Sequence, residues 1–122
     1  MADFTASNAV RNSSATLNLL AMQASQTVDV SDIQDERMVI VVQNNNDSVA
    51  VNTATITIAP GGFLANVLGT LSVDVADGGA CKTIGPLEGM RFKSTASKIV
   101  VGVAVTQSGT VSSVKAAIIK LP

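Results

Sequence analysis

The sequence has no histidine, tryptophan or tyrosine, and its 122 residues include one cysteine and three phenylalanines. Histidine is the commonest general base and a frequent metal ligand, so its absence excludes Ser-His-Asp triads and leaves Cys81 without the usual activating partner. One cysteine also excludes an intrachain disulfide and a structural zinc site. We therefore expect a protein that is not an enzyme and needs neither cofactor nor metal, with Cys81 as a small buried hydrophobe.

Aromatic residues make up 2% of the chain, which leaves sugar rings and nucleobases without a stacking platform. Eight Lys and Arg against nine Asp and Glu give a net charge of −1, so the chain has no basic field for a phosphate backbone. We expect no nucleic-acid partner. No run approaches the roughly eighteen apolar residues of a membrane span, and residues 1–13 lack the pattern of a signal peptide. These absences predict synthesis in a cytoplasm and no membrane association.

Two polar stretches carry hard oxygen ligands, at residues 44–47 (Asn-Asn-Asn-Asp) and 77–79 (Asp-Gly-Gly). Neither has the dense acidic spacing or the closing bidentate acid of a calcium loop. Asn, Asp and Gly at such positions are typical of turns, and we interpret both stretches as turns.

The residues that are abundant favour a β-sheet. Hydrophobic residues make up 47% of the chain, and Val, Ile and Thr supply 36 of the 122 residues. These β-branched side chains suit a pleated surface. About eight short apolar stretches, separated by turn signals, predict an all-β fold: a single-domain antiparallel β-sandwich over residues 14–122. Residues 1–13 have no period and predict an extended N-terminal arm, with Phe4 as its large anchor.

Particular stretches give sharper expectations. The apolar run at residues 38–42 predicts a central strand, and the Asn-rich turn after it predicts a hairpin with a strand at 49–58, bulged near Asn52 and Thr53. Alternation at 90–94 predicts a further strand, with Met90 and Phe92 pointing inward. Apolar residues on both faces at 99–105 predict a strand that is largely dry on both sides.

The remaining exposed residue types are mostly Ser, Thr, Asn and Ala. Short, neutral side chains lose little conformational entropy when a surface packs against a partner. Many weak contacts on a repeating lattice reinforce one another through effective concentration. The composition therefore favours adhesion over catalysis.

The order of short landmarks along residues 26–121 resembles a group of small tailed-bacteriophage virion proteins, described as head decoration or minor structural proteins. The sequence departs from that group at Glu36, where an Asp-Gly-Arg turn is common, and in lacking a tyrosine before Ser108. The landmarks are Asp35-Glu36-Arg37, the strand 38–42 with Gln43-Asn44, the stretch 55–58, Ile84-Gly85-Pro86-Leu87, Met90-Arg91-Phe92, Ile99-Val100-Val101, Ser108-Gly109-Thr110 and the stretch 114–118.

The resemblance implies a capsid decoration protein that binds the outer surface of the assembled head and stabilises it, made in the bacterial host cytoplasm and located on the virion. Its implied partner is the major capsid protein, with self-association on the capsid lattice as a further possibility. The residues proposed for capsid contact lie in the arm: Phe4, Val10 and Arg11. The residues proposed to close the core or form turns are Arg37, Gly85, Pro86, Leu87 and Phe92.

Two alternatives stay open at this point. One is a phage tail or neck component, although tail-tube subunits usually carry a long hairpin for which this chain has little room. The other is a carbohydrate-binding or adhesion module, against which the shortage of aromatic residues counts.

Overall fold

The computed structural model of the chain describes residues 7–9, 14, 17–31, 33, 37–49, 51–62, 67–87, 89–106 and 109–121. These residues form nine β-strands, one helical turn and a 3-10 turn at Val111–Ser113. The elements are β1 Ser7–Asn8, β2 Leu20–Ala21, β3 Ser25–Asp29, β4 Met38–Asn44, β5 Ala54–Ile58, β6 Leu71–Val75, β7 Ala80–Ile84, α1 Gly89–Phe92, β8 Lys98–Val105 and β9 Val114–Lys120.

The strands form two sheets, which confirms the all-β sandwich. In the five-stranded sheet, β9 pairs with β4 and β4 pairs with β7, while β1 and β2 share the other edge of β9. The four-stranded sheet has the order β3-β8-β5-β6. All pairings among the described strands are antiparallel except that of β1 with β9.

One hydrophobic core lies between the sheets, and strand alternation builds it. Alternate residues of β4 and β8 are buried, and β5 contributes Ala54, Ile56 and Ile58. Fully burying a Val or Ile side chain is worth about 1.5–3 kcal/mol, so these rows supply most of the drive to pair the sheets. The buried rows of β4 and β8 are Met38, Ile40, Val42, Ile99, Val101 and Val103.

The predicted hairpin between residues 38–42 and 49–58 is wrong. β4 is a central strand, as expected, but it pairs with β9 and β7, whereas β5 belongs to the other sheet. The strand begins only at Ala54, and Val49 and Val51 are exposed. The apolar side chains before Asn52 therefore belong to a connection between the sheets, and the phase change that predicted a bulge marks the start of β5.

Three further expectations are corrected by tertiary context. Residues 89–92 form the helical turn α1 where a strand was predicted, although Phe92 is buried. Cys81 is exposed, because β7 is an edge strand and Cys81 lies opposite Gln43 on its outward side. The outer side of β8 is open, since Val100 and Ala104 are exposed there. Among the described residues, no helix has the length and hydropathy needed to cross a membrane.

The antiparallel register gives the sandwich two distinct ends. At one end β4, β6 and β8 finish while β5, β7 and β9 begin; we call it the Asn44 end. At the other end β9 finishes and β1 pairs with it; we call it the Lys120 end. The two ends are about 20 Å apart, given a rise of about 3.3 Å per residue along β9.

Candidate interaction surface

A buried amide network joins the two sheets at the Asn44 end. The side-chain amide of Asn44 donates to the backbone carbonyls of Asn52, at 2.8 Å, and Val75, at 3.0 Å. Its carbonyl oxygen accepts from the backbone N–H of Asn46, at 3.1 Å, and from the Asn46 side-chain amide, at 2.8 Å. Asn44 is fully buried, so each of these bonds satisfies a group that would otherwise lose its partner on leaving water.

Asn46 extends the network to the connection between β8 and β9. Its side-chain amide donates to the Thr110 carbonyl at 3.1 Å, and its oxygen accepts from the Thr110 backbone N–H at 2.8 Å. A Cβ on Gly109 would overlap Val105 Cγ1 and would lie 3.2 Å from both Asn46 Oδ1 and Asn52 Cβ, so a residue without a side chain fits best in this close packing. The Asn-rich stretch is therefore a polar core and not the predicted turn, because Asn44 ends β4 and the chain bends only at Ser48 and Val49. The other predicted turn, at residues 77–79, is present at Gly78 and Gly79.

Next to this network lies the valine loop, residues 47–53, whose described residues are 47–49 and 51–53. It connects β4 in one sheet with β5 in the other. The side chain of Val49 is 95% exposed and that of Val51 is 71% exposed. Single exposed apolar residues are ordinary, but two β-branched residues on one loop form a small apolar protrusion.

Hydrogen bonds hold the valine loop backbone from two sides. On one side, Asp77 Oδ2 accepts from the backbone N–H of Asn52 at 2.8 Å. On the other, the Thr106 hydroxyl donates to the Val51 carbonyl at 3.0 Å and accepts from the Thr53 backbone N–H at 3.0 Å. Within the loop, Asp47 Oδ1 accepts from the Val49 backbone N–H at 3.2 Å.

Asn52 fastens the base of the valine loop. Its side-chain amide donates to the Asp47 carbonyl at 2.9 Å, while its Oδ1 accepts no hydrogen bond from the described residues. The valine side chains thus project from a loop whose residues 51–53 are hydrogen-bonded to two distant segments of the chain. Ordering before contact reduces the entropy lost on binding, which suits these residues to act as anchors.

A second pair of exposed apolar side chains lies at the Lys120 end. Val67 is 82% exposed and Leu68 is 61% exposed. Arg91 donates to the carbonyls of Leu68 and Gly69 at 3.4 and 3.3 Å. These are long bonds from one flexible side chain, whose guanidinium also lies 4.8 Å from the centre of the Phe92 ring. The valine loop is held by shorter bonds from two distant residues, Asp77 and Thr106, so its backbone has the stronger hydrogen bonds of the two protrusions.

The residues predicted to contact a capsid, Phe4, Val10 and Arg11, lie outside the described residues. The nearby residues Ser7 and Asn8, which the sequence places in the arm, form β1 and pair with Ile119 and Lys120 of β9. The backbone N–H of Ala9 adds a 2.8 Å hydrogen bond to the Lys120 carbonyl. This part of the arm therefore extends the five-stranded sheet, at the end opposite the valine loop.

The residues predicted to close the core or form turns lie at the Lys120 end. Gly85 and Pro86, joined by a cis peptide bond, lie in the connection from β7 to α1, and Leu87 and Phe92 are buried in the core. The Leu87 backbone N–H donates to the Met38 carbonyl at 3.0 Å. Arg37 is exposed, and its carbonyl accepts from the Leu121 backbone N–H at 2.7 Å. Asp35 and Glu36 lie outside the described residues.

An ion pair lies on the surface of the four-stranded sheet. Lys98 Nζ lies 3.7 Å from Asp29 Oδ2 across β3 and β8. The backbone N–H of Ser31, followed by its hydroxyl and by Lys98, holds the pKa of Asp29 below its ordinary value. In the described part of the chain, His, Cys, Asp and Glu form no group of three or more that could hold a metal ion.

Sequence reasoning missed both the valine loop and the amide network. Val49 and Val51 alternate as strand residues do, and only the absence of a partner strand shows that they are exposed. The Asn residues predicted a turn, but their burial depends on contacts with distant residues. Val75 lies 31 residues after Asn44, and Thr110 lies 64 residues after Asn46.

Comparisons with protein-family models, curated proteins and solved structures find no match to this chain.

Proposed function

We propose that the chain is a non-enzymatic structural protein of a bacteriophage virion, a capsid decoration protein that docks on the outer surface of the assembled head and stabilises it. The partner is the major capsid protein. The observation that carries the proposal is the valine loop: two apolar side chains held in solvent by a backbone that is hydrogen-bonded from both sides. The sequence resemblance to small virion proteins supplies the identity of the partner.

The outer face of the four-stranded sheet supports an adhesive role. One row across it consists of Ser25, Gly102, Thr57 and Ser72, placed side by side by the strand register. Such side chains are short and uncharged, so a partner surface can approach closely and few rotamers are lost on contact. A row of this kind suits repeated contact with a lattice.

Stabilisation of the head follows from repetition. A decoration protein present at every equivalent lattice site adds its contact many times, so a modest free energy per copy becomes large over the particle. Each copy needs only a small anchor. Burying one valine completely is worth about 1.5 kcal/mol or more, so the two valines together supply about 3 kcal/mol.

The test is co-sedimentation of purified chain with heads of the encoding phage that lack it. Because about 3 kcal/mol corresponds to roughly a hundredfold in Kd, the double variant Val49→Ser, Val51→Ser is expected to bind about a hundredfold more weakly than the unchanged chain. The matched control is Val67→Ser, Leu68→Ser, which removes comparable exposed apolar groups at the Lys120 end and is expected to bind normally.

Each outcome decides a separate point. Failure of the unchanged chain to bind heads overturns the proposed function. Normal binding by the Val49, Val51 double variant overturns the assignment of the valine loop as the anchor. Weakened binding by the control alone moves the anchor to the Lys120 end.

A further inference from the structure

We propose that residues 7–9 exchange between copies of this chain, so that β1 of one copy pairs with β9 of a neighbour. The structure shows both halves of this contact in one molecule. The inserting segment is Ser7, Asn8 and Ala9, and the accepting edge is Ile119 and Lys120 of β9, in parallel register. A second copy carries the same segment and the same edge, so the exchanged contact reproduces the pairing that is already present.

The edge of β9 that accepts β1 has no other strand paired with it at Ile119 and Lys120 among the described residues. β2 pairs with β9 only at Ala116 and Lys115, further along the same edge. When β1 leaves, the edge at Ile119 and Lys120 loses its paired strand, and an unpaired strand edge is a template for a strand of another chain. The occupant that the structure fits to this edge is the segment 7–9.

The inserting segment is weakly held. β1 has two residues, and its pairing is confined to β9 among the strands described. Its residues, Ser and Asn followed by Ala, are small or polar. Short terminal strands of this kind open at low free-energy cost compared with core strands. Detachment therefore leaves the amide network and the hydrophobic core in place.

The tether is long enough for exchange. Ten residues, 10–19, separate Ala9 from β2, which begins at Leu20. Fully extended, a segment of this length spans about 33 Å, which exceeds the width of a small sandwich. Two segments joined by a short linker face each other at an effective concentration on the order of mM. Exchange thus competes with self-pairing when copies are crowded to about the same concentration, as on a lattice.

The exchange is separate from the proposed docking, because the valine loop lies at the Asn44 end and β1 at the Lys120 end. One copy can therefore use both contacts at the same time. This arrangement is a strand swap, in which the exchanged and unexchanged forms contain the same strand pairings. The test uses the chain alone, so its failure and the failure of capsid docking are distinguishable.

The experiment mixes two single-cysteine variants of the full chain, both carrying Cys81→Ser and each with a tag of different mass. One variant has Ser7→Cys and the other has Ile119→Cys, so neither can form this disulfide within one molecule. After incubation and oxidation, non-reducing gel electrophoresis measures the mixed disulfide. The control replaces the second variant with Thr83→Cys, an exposed position on the far edge of the same sheet.

Exchange predicts that the Ser7→Cys and Ile119→Cys pair gives several times more mixed disulfide than the control at about 1 mM, and little at about 10 µM. A yield equal to that of the Thr83→Cys control at 1 mM overturns the proposal.

Discussion

The side chain of Asn44 in the five-stranded sheet donates a 3.0 Å hydrogen bond to the backbone carbonyl of Val75 in the four-stranded sheet. Both residues are fully buried. The bond links the end of β4 to the end of β6 at the Asn44 end, next to the valine loop. A specific polar contact, set within an otherwise apolar core, thereby fixes how the two sheets meet at this end.

Replacing Asn44 with Ala is expected to lower the free energy of unfolding by about 3 kcal/mol. The change removes two donated bonds and leaves the buried carbonyls of Asn52 and Val75 without them, at a cost of about 1–3 kcal/mol for each such group. Urea denaturation measures the loss. Asn45→Ala is the control, because Asn45 is exposed, and it is expected to change stability by less than about 0.5 kcal/mol. Equal stability of the two variants contradicts a structural role for the network.

Strand periodicity predicted much of this fold. The apolar stretch at 99–105 predicted a strand, and Ile99, Val101 and Val103 are buried on its inner side, although the outer side is not dry as predicted. The continuous apolar run at 38–42 predicted a central strand, and β4 lies between β9 and β7. What periodicity could not give was the partner of each strand: β4 pairs with β7, whose first residue lies 36 positions after Asn44.

The candidate site was beyond sequence reasoning for a related reason. The backbone of the valine loop is held at Val51 and Asn52 by Thr106 and Asp77, which are distant in sequence. Local patterns indicate the preference of a residue for a strand or a turn, whereas its burial depends on which parts of the rest of the chain pack against it. Cys81 shows the same limit, because its residue type favours burial and its edge strand exposes it.

Gly61→Ala is expected to destabilise the fold by about 1–3 kcal/mol. A Cβ at this position would overlap the backbone carbonyl of Lys93, and the Gly61 backbone N–H already donates to the Arg91 carbonyl at 2.8 Å. Gly62→Ala is the matched control, because its nearest neighbour would be Thr95 Cγ2 at 3.3 Å, the end of a side chain. Thermal unfolding of both variants checks the difference, and a loss in Gly62→Ala as large as in Gly61→Ala contradicts the close approach.

The substitution Asp29→Asn is expected to reduce the loss in free energy of unfolding that occurs between neutral and acid pH. The folded pKa of Asp29 lies below its ordinary value of 3.8, so the ionised form favours folding. This contribution is present above the unfolded pKa and is lost as the pH falls below about 4 through the folded pKa. Denaturation midpoints at pH 6 and pH 3 are therefore expected to differ less in Asp29→Asn than in the unchanged chain. An identical pH dependence contradicts the Ser31 and Lys98 contacts.

Ala9→Pro is expected to lower the free energy of unfolding by about 1 kcal/mol, through loss of one backbone hydrogen bond to Lys120 at the sheet edge. Ala9→Ser keeps the N–H and is expected to be neutral. Amide hydrogen exchange locates the effect, which we expect at β9 residues near the Lys120 end and not at the amide network. Loss of protection throughout the core contradicts the view of β1 as a separable edge strand.

The central claim is that this sandwich adheres to a phage head without performing a reaction. The most direct measurement takes virions of the phage proposed to carry this chain, separates them into heads and tails, and determines the amount of the chain per copy of major capsid protein by quantitative mass spectrometry. The account predicts that the chain stays with the heads at a fixed ratio tied to the number of capsomers. Recovery in the tail fraction alone, or absence from purified virions, contradicts it.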